Sequence, residues 1–367
     1  MKYAHIITHT DLDGLGAAAI IYEYLKLVNK KINVNVTRVD YNDIINISHI
    51  HDEDEVYFLD YSFSNPDNIS ALMNLLDRGI KVVWIDHHKT SEDVIYGGLG
   101  VKSLWYKDRL DENCSIINTD YSATLLAYLY ALAKLLNYND MQLFLINHFH
   151  NLDDPKNLNI PNIIKYIDSY DTWKHYMEDD IEFELGMRSN DFTVKNLFSN
   201  IFNFNSKECG KLFNPTKNTN RIINTFINKT ITAGKYINKY NEVQNKQLCK
   251  SSAFEFIIND GINNKIYKCI GLNHRGNSTM FGDLINEYDI VVGFRYNNGT
   301  YNYSLYTSKD DVDVSKVAKN LGTYNNLGGG GHKKAAGFVT HDQIIKKDCV
   351  IYIEKRLLSN GVKIIIT

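Results

Sequence analysis

The chain has 367 residues, and at roughly 150 residues per domain this length predicts about two domains. Its 40 Lys and Arg against 43 Asp and Glu leave a formal net charge of -3, which excludes a generic electrostatic nucleic-acid binder of the histone type and leaves room only for a local basic groove. A hydrophobic share of 44% beside 23% charged residues is ordinary globular composition, and only 4 Pro argue against long extended linkers.

The 5 cysteines (Cys114, Cys209, Cys249, Cys269 and Cys349) contain no CxxC pair, so they read as reduced thiols and not as a disulfide frame or zinc ribbon. The opening MKYAHIITHTDLDG meets His5 and His9 before any long apolar core, so no signal peptide is expected. No apolar run approaches the ~20 residues that span a bilayer. These features predict a soluble cytoplasmic protein without membrane partners. The 25 Tyr, with heavy use of Asn, Ile and Lys, fit an AT-rich coding sequence.

In chain order, Ala4–Thr8 reads as a strand, Leu15–Val28 as a helix, Asn33–Val39 and Val56–Leu59 as strands, Asn68–Leu76 as a helix after the Pro66-Asp67 start signal, and Lys81–Ile85 as a strand. Strands alternating with helices predict a mainly parallel sheet, whose ligands lie beyond the carboxyl ends of the strands. Helical spacing continues over Ser122–Leu136, near Met141–Asn147, and from Asn162–Tyr166 into IDSYDTW. From about Asn190 to Lys250 an Asn/Lys-rich helical stretch reads as a connector. Strands return at Phe254–Ile258, Ile266–Leu272, Ile290–Tyr296 and Tyr301–Tyr306, followed by a helix at Val314–Asn320 and the run GGGGHKKAAGF. The expected architecture is α/β: a catalytic domain over 1–185, a helical connector over 186–250, and a smaller α/β domain over 251–367. An active site is expected in the cleft between the two domains.

Three strands run directly into candidate chemistry. His9, Asp11 and Asp13 leave the first strand at alternate positions, where they can converge on a divalent cation. A helix cap explains one of these acids, not two and a histidine. Asp60 ends the second, and Asp86-His87-His88 end the third, where adjacent histidines point in different directions. Asp168 and Asp171 add a carboxylate pair. In Gly328-Gly329-Gly330-Gly331-His332-Lys333-Lys334, successive glycines let backbone amides approach a phosphate, and a following helix start would add its dipole.

Taken together, these motifs resemble the DHH phosphoesterase superfamily, named for Asp86-His87-His88, with the associated C-terminal domain marked by GGGGHKKAAG. FLDYSF, WIDHHKT, YDTW and DVDVSKVAKNLG…GGGGH look most like the NrnB-type oligoribonucleases, or nanoRNases. RecJ exonucleases, pAp phosphatases and cyclic-dinucleotide phosphodiesterases share the same core. The resemblance implies two Mn²⁺ ions, with Mg²⁺ or Co²⁺ as substitutes, held about 3.5–4 Å apart for in-line attack on a phosphodiester. It implies His9 and Asp11 on one ion, Asp13, His87 and Asp168 or Asp171 on the other, and Asp60 bridging. Asp60, Asp86 and His88 would carry the chemistry, with His88 at the phosphoryl group or leaving oxygen. Gly328–Gly331, His332 and Ser304 would grip the substrate. Some relatives place their first motif histidine where this chain has Ile7, and others carry an arginine after the serine that is Ser304 here, so a phosphate contact would pass to Arg275 or Lys309. The implied function is hydrolysis of very short oligoribonucleotides to mononucleotides; the alternative is a pAp phosphatase or cyclic (di)nucleotide phosphodiesterase. Its partner is a short RNA or nucleotide, and a homodimer is compatible with the reading.

Overall fold

A computed structural model of the chain describes residues 3–40, 43–63, 65–94, 116–138, 156, 159–198, 210–274, 276–324, 327–355 and 362–367. It divides into two compact units, Met1–Ile237 and Asn238–Thr367. The expected helix near Met141–Asn147, Arg275, Cys114 and Cys209 lie outside the described residues.

In the first unit, β1 (Tyr3–His9), α1 (Leu12–Val28), β2 (Asn33–Val39), β3 (Glu55–Leu59), α2 (Pro66–Asp77), β4 (Lys81–Asp86), α3 (Lys89–Asp93) and β5 (Ile116–Ile117) follow the alternation read from the sequence. They form a parallel sheet in the order β2-β1-β3-β4-β5. Period-two alternation divides the strand side chains between two apolar layers. Tyr57, Leu59, Val83 and Ile85 join the core built on α1 and α4 (Ala123–Leu135). Val56, Phe58, Val82 and Trp84 join the core built on Leu72, Leu75 and Leu76 of α2. With both faces covered, β3 is buried along its whole length.

α1 starts three residues earlier than its apolar spacing suggests, because Asp11 caps it: the Asp11 carboxylate accepts the Gly14 N–H at 2.9 Å. Gly14 is required for close approach, since a β-carbon there would lie 2.5 Å from the His9 carbonyl oxygen. α5 (Asn162–Asp171) and α6 (Asp180–Arg188) pack beside α1, and α7 (Lys217–Ser252) runs through the segment read as a connector. Among the described residues no helix is long and apolar enough to cross a membrane.

The second unit contains β6 (Phe254–Asp260), β7 (Lys265–Leu272), β8 (Ile290–Asn297), β9 (Thr300–Tyr306), α8 (Val314–Leu321), β10 (Gly329–Gly331), β11 (Ala335–Thr340), β12 (Val350–Lys355) and β13 (Val362–Ile366). These strands form a mixed sheet in the order β10-β11-β9-β8-β7-β6-β12-β13. The α/β class and the two-domain description hold. One expectation is corrected here: no helix starts after the glycine run. Gly329–Gly331 is itself a strand, and Lys333-Lys334 lead into β11. Part of the run serves packing, because a β-carbon on Gly329 would lie 2.2 Å from the Ala318 carbonyl oxygen of α8.

Candidate metal centre

β1, β3 and β4 are parallel neighbours, so their carboxyl ends lie side by side about 4.8 Å apart. That spacing converts three separate sequence motifs into one cluster. His9 closes β1, Asp60 follows β3, and Asp86-His87-His88 close β4. Asp60 adopts the left-handed backbone conformation (φ 53°), a strained choice for a residue other than glycine that is tolerated best by short polar side chains.

His9 Nδ1 lies 2.8 Å from Asp11 Oδ2 and 3.7 Å from Asp60 Oδ2. His87 Nε2 lies 3.0 Å from Asp171 Oδ2, 3.3 Å from Asp60 Oδ1 and 3.7 Å from Asp13 Oδ2. The resulting metal-competent groups are His9–Asp11–Asp60, Asp60–His87–His88 and Asp13–His87–Asp171, and they overlap at Asp60 and His87. Asp60 is 1% exposed, and neither of its carboxylate oxygens accepts a hydrogen bond. Burying a carboxylate that accepts no hydrogen bond is costly even with imidazoles nearby, so Asp60 fits a bound cation as its partner.

Electrostatics lead to the same reading. Burial, with the charge of Asp11 adding, pushes Asp60 up to about 6. Asp13 is raised well above the usual carboxylate range by burial and by the charges of Asp171 and Asp60. Burial opposes charge on His87 and His9, yet the neighbouring carboxylates of Asp171 and Asp60 push His87 up to about 12, and those of Asp11 and Asp60 push His9 up to about 10. Burial also works against the Asp11 carboxylate, but His9 holds it below the usual range. Four carboxylates crowd three imidazoles and retain protons on them. Divalent cations would supply that positive charge and release the protons, and a mixed imidazole and carboxylate donor set suits first-row ions.

Other side chains orient this cluster. Asp13 accepts the Ala123 N–H at 2.7 Å and the Thr124 N–H at 2.8 Å from the start of α4, whose N-cap is Ser122. Sequence reasoning missed this seat, although the SAT start of an apolar helix was a visible cap signal. Asp86 lies outside the three groups: its Oδ1 is 2.8 Å from His88 Nδ1, and its Oδ2 accepts the Ser91 hydroxyl. Through the first of these contacts it orients His88, whose ring belongs to the Asp60–His87–His88 group. Of the other carboxylate pair, the structure brings Asp171 to His87. Asp168 is fully buried and accepts the Ser122 N–H at 2.6 Å and the Tyr176 hydroxyl at 2.8 Å.

In the second unit, Gly330, Gly337 and Ser304 are register partners across β10, β11 and β9. Nothing stands within 4 Å of where a Gly330 β-carbon would be, so the backbone is open there. Gly331 (φ 138°) ends β10, and the His332 N–H donates to the Ala335 carbonyl at 2.7 Å. Lys309 Nζ donates to the Asn286 carbonyl at 2.7 Å.

A parallel sheet that gathers imidazoles and carboxylates at three adjacent strand ends defines a phosphoester hydrolase centre. The chain belongs to the DHH phosphoesterase superfamily: residues 4–99 match the DHH family N-terminal domain, and residues 263–356 match the DHHA1 domain. No curated protein matches the chain. Similar solved structures include an uncharacterized protein from Helicobacter pylori G27 (14% identity, 94% of each chain covered, TM-score 0.34). Another is the pGpG-specific phosphodiesterase PggH from Vibrio cholerae (12% identity, 92% of each chain, TM-score 0.39). A third is RecJ in complex with Mn²⁺ from Thermus thermophilus (12% identity, TM-score 0.38), where 92% of this chain spans 49% of that one.

Proposed function

We propose that this phosphoester hydrolase is a Mn²⁺-dependent phosphodiesterase that hydrolyses very short oligoribonucleotides to mononucleotides. The observation that carries the metal dependence is the buried Asp60 carboxylate, without hydrogen-bond partners, where the His9–Asp11 and His87–His88 groups meet. His9 and Asp11 would hold one ion, and Asp13, His87 and Asp171 a second, with Asp60 shared. When bound, two such cations neutralise a phosphodiester and activate water as its nucleophile. His88, oriented through Nδ1 by Asp86, would present Nε2 to the phosphoryl group or the leaving oxygen. The amides of Gly328–Gly331, with His332 and Ser304, would grip a terminal phosphate.

The preference for short substrates is supported by charge. A net charge of -3 gives little long-range pull on a polyanion, whereas enzymes that track a strand do so along a positive groove. The test is full-length protein with Mn²⁺ against a dinucleotide, a five-mer, a ~25-mer RNA, pAp and a cyclic dinucleotide. The expected result is kcat/KM on the dinucleotide and five-mer more than tenfold above that on the ~25-mer, about 1.4 kcal/mol. Equal rates on the long strand, or turnover of pAp or the cyclic dinucleotide alone, would overturn it.

A further inference from the structure

Trp173 follows Asp171 by two positions, so their Cα atoms lie no more than about 7 Å apart. Trp84 is fully buried in the first unit, whereas Trp173 is 53% exposed. Its backbone is left-handed (φ 56°) directly after Thr172, the C-cap of α5. Glycine or asparagine is the usual occupant of that place, and a tryptophan there is strained. The fold therefore accepts strain and exposes a large aromatic ring two residues along the chain from a residue of the metal cluster.

The neighbours of Trp173 are anchored. The Trp173 N–H donates to the Tyr170 carbonyl at 3.1 Å, and the His175 N–H to the Ser169 carbonyl at 3.0 Å. Lys174 Nζ reaches the Asp120 carbonyl and lies 5.1 Å over the Tyr121 ring. His175 Nδ1 sits 3.1 Å from Asp180, the Tyr176 hydroxyl donates to Asp168 at 2.8 Å, and the Met177 N–H donates to Ser169 Oγ at 2.9 Å. The indole is the one side chain from Trp173 to Tyr176 without a polar anchor here. It is backed by the Tyr170 ring at 6.1 Å and 28° and braced by the His175 ring at 5.4 Å and 88°. Strained backbone, fixed flanks and an outward ring describe a preorganised platform and not a loop side chain left over from packing.

We infer that Trp173 is a base-stacking platform, on which the base of a nucleotide rests while its phosphodiester lies at the metal cluster. The inference rests on the phosphodiesterase reading and adds to it the element that recognises the nucleoside. Because every base has a π-face, this platform selects nucleotides as a class and tolerates base identity.

The test uses the full chain with Trp173→Gly and Trp173→Phe, the dinucleotide ApA as substrate, and AMP as a binding probe. Glycine suits the left-handed position, so Trp173→Gly should melt at or above the wild-type temperature and bind Mn²⁺ as the wild type does. Its KM for ApA should rise about tenfold, with kcat falling less than about threefold. Trp173→Phe should keep KM within about threefold of wild type, since a ring remains. AMP should quench the tryptophan fluorescence of the wild type but not of Trp173→Phe. A wild-type KM in Trp173→Gly overturns the platform, as does a KM rise accompanied by a lower melting temperature and lost Mn²⁺. If ApA is hydrolysed and only these comparisons fail, the phosphodiesterase reading stands without the platform. If AMP quenches through Trp173 while no oligonucleotide is hydrolysed, the platform stands and that reading falls.

Discussion

Replacing Asp60 by Asn tests the centre of the metal assignment, because it removes one charge and little else. Asn has nearly the same shape and tolerates the left-handed conformation observed at this position (φ 53°), so the turn after β3 should survive. Without metal, the Asp60 charge has opposing neighbours: imidazoles at 3.3 and 3.7 Å, against the carboxylates of Asp11 and Asp171 and the cost of burial. Two unit charges 3.3 Å apart attract by about 5 kcal/mol at an effective dielectric of ~20. Repulsion and desolvation offset that gain so fully that the carboxyl is pushed up to about 6. Metal-free Asp60→Asn should therefore melt within a few degrees of wild type, or above it. With metal the balance reverses, because the charge shared by both ion sites is gone. Turnover should fall at least ~10²-fold, or about 2.7 kcal/mol, the scale of losing a major electrostatic stabiliser. Calorimetric Mn²⁺ titration, kcat at saturating Mn²⁺ and melting in EDTA separate these effects. Near wild-type kcat at saturating Mn²⁺ would refute the bridging role.

Much of the site was legible in the sequence because its residues punctuate strand ends. Apolar runs stop at His9, Asp60 and Asp86, and a parallel α/β pattern places all three stops on one edge of the sheet. What the sequence could not supply was the choice among carboxylates of similar chemistry. Asp168 and Asp171 share helix α5 and differ in tertiary partners: Asp168 meets the Ser122 amide, 46 residues away, and Asp171 meets His87. Asp86 belongs to the family motif yet is spent on His88 and Ser91, which only side-chain geometry reveals. The glycine run misled in a different way. Glycine marks both phosphate cradles and close packing, and here Gly329 admits α8 while β11 takes the place of the anticipated helix.

The two acids of α5 should separate cleanly in mutants. Asp171→Asn is expected to weaken Mn²⁺ binding while the fold is retained, and Asp168→Ala to cost about 1–3 kcal/mol of stability in denaturant melts while Mn²⁺ affinity is kept; the reverse pattern would reassign both. His332→Ala should raise KM for short substrates and leave bound Mn²⁺ unchanged by metal analysis, and loss of Mn²⁺ without a change in KM would move His332 to the metal site. The last expectation concerns Glu184 in α6, which is 2% exposed and accepts the Arg188 Nε–H at 2.6 Å. Burial, reinforced by Asp11 and Asp171 and opposed by Arg188, pushes its carboxyl from the ordinary 4.5 up to about 7. Because the folded state holds this proton more tightly than the unfolded state, stability is greatest below the unfolded value and declines as pH rises between the two. Glu184→Gln keeps an oxygen for Arg188 and removes the titration, so the variant should gain on wild type from about pH 5 to about pH 7.5, by at most about 3 kcal/mol. Urea melts of both proteins in EDTA measure that difference with the cluster free of metal. A gap that stays flat across this window, or one that closes in favour of wild type as pH rises, would show that Arg188 outweighs burial and that Glu184 is ionised throughout.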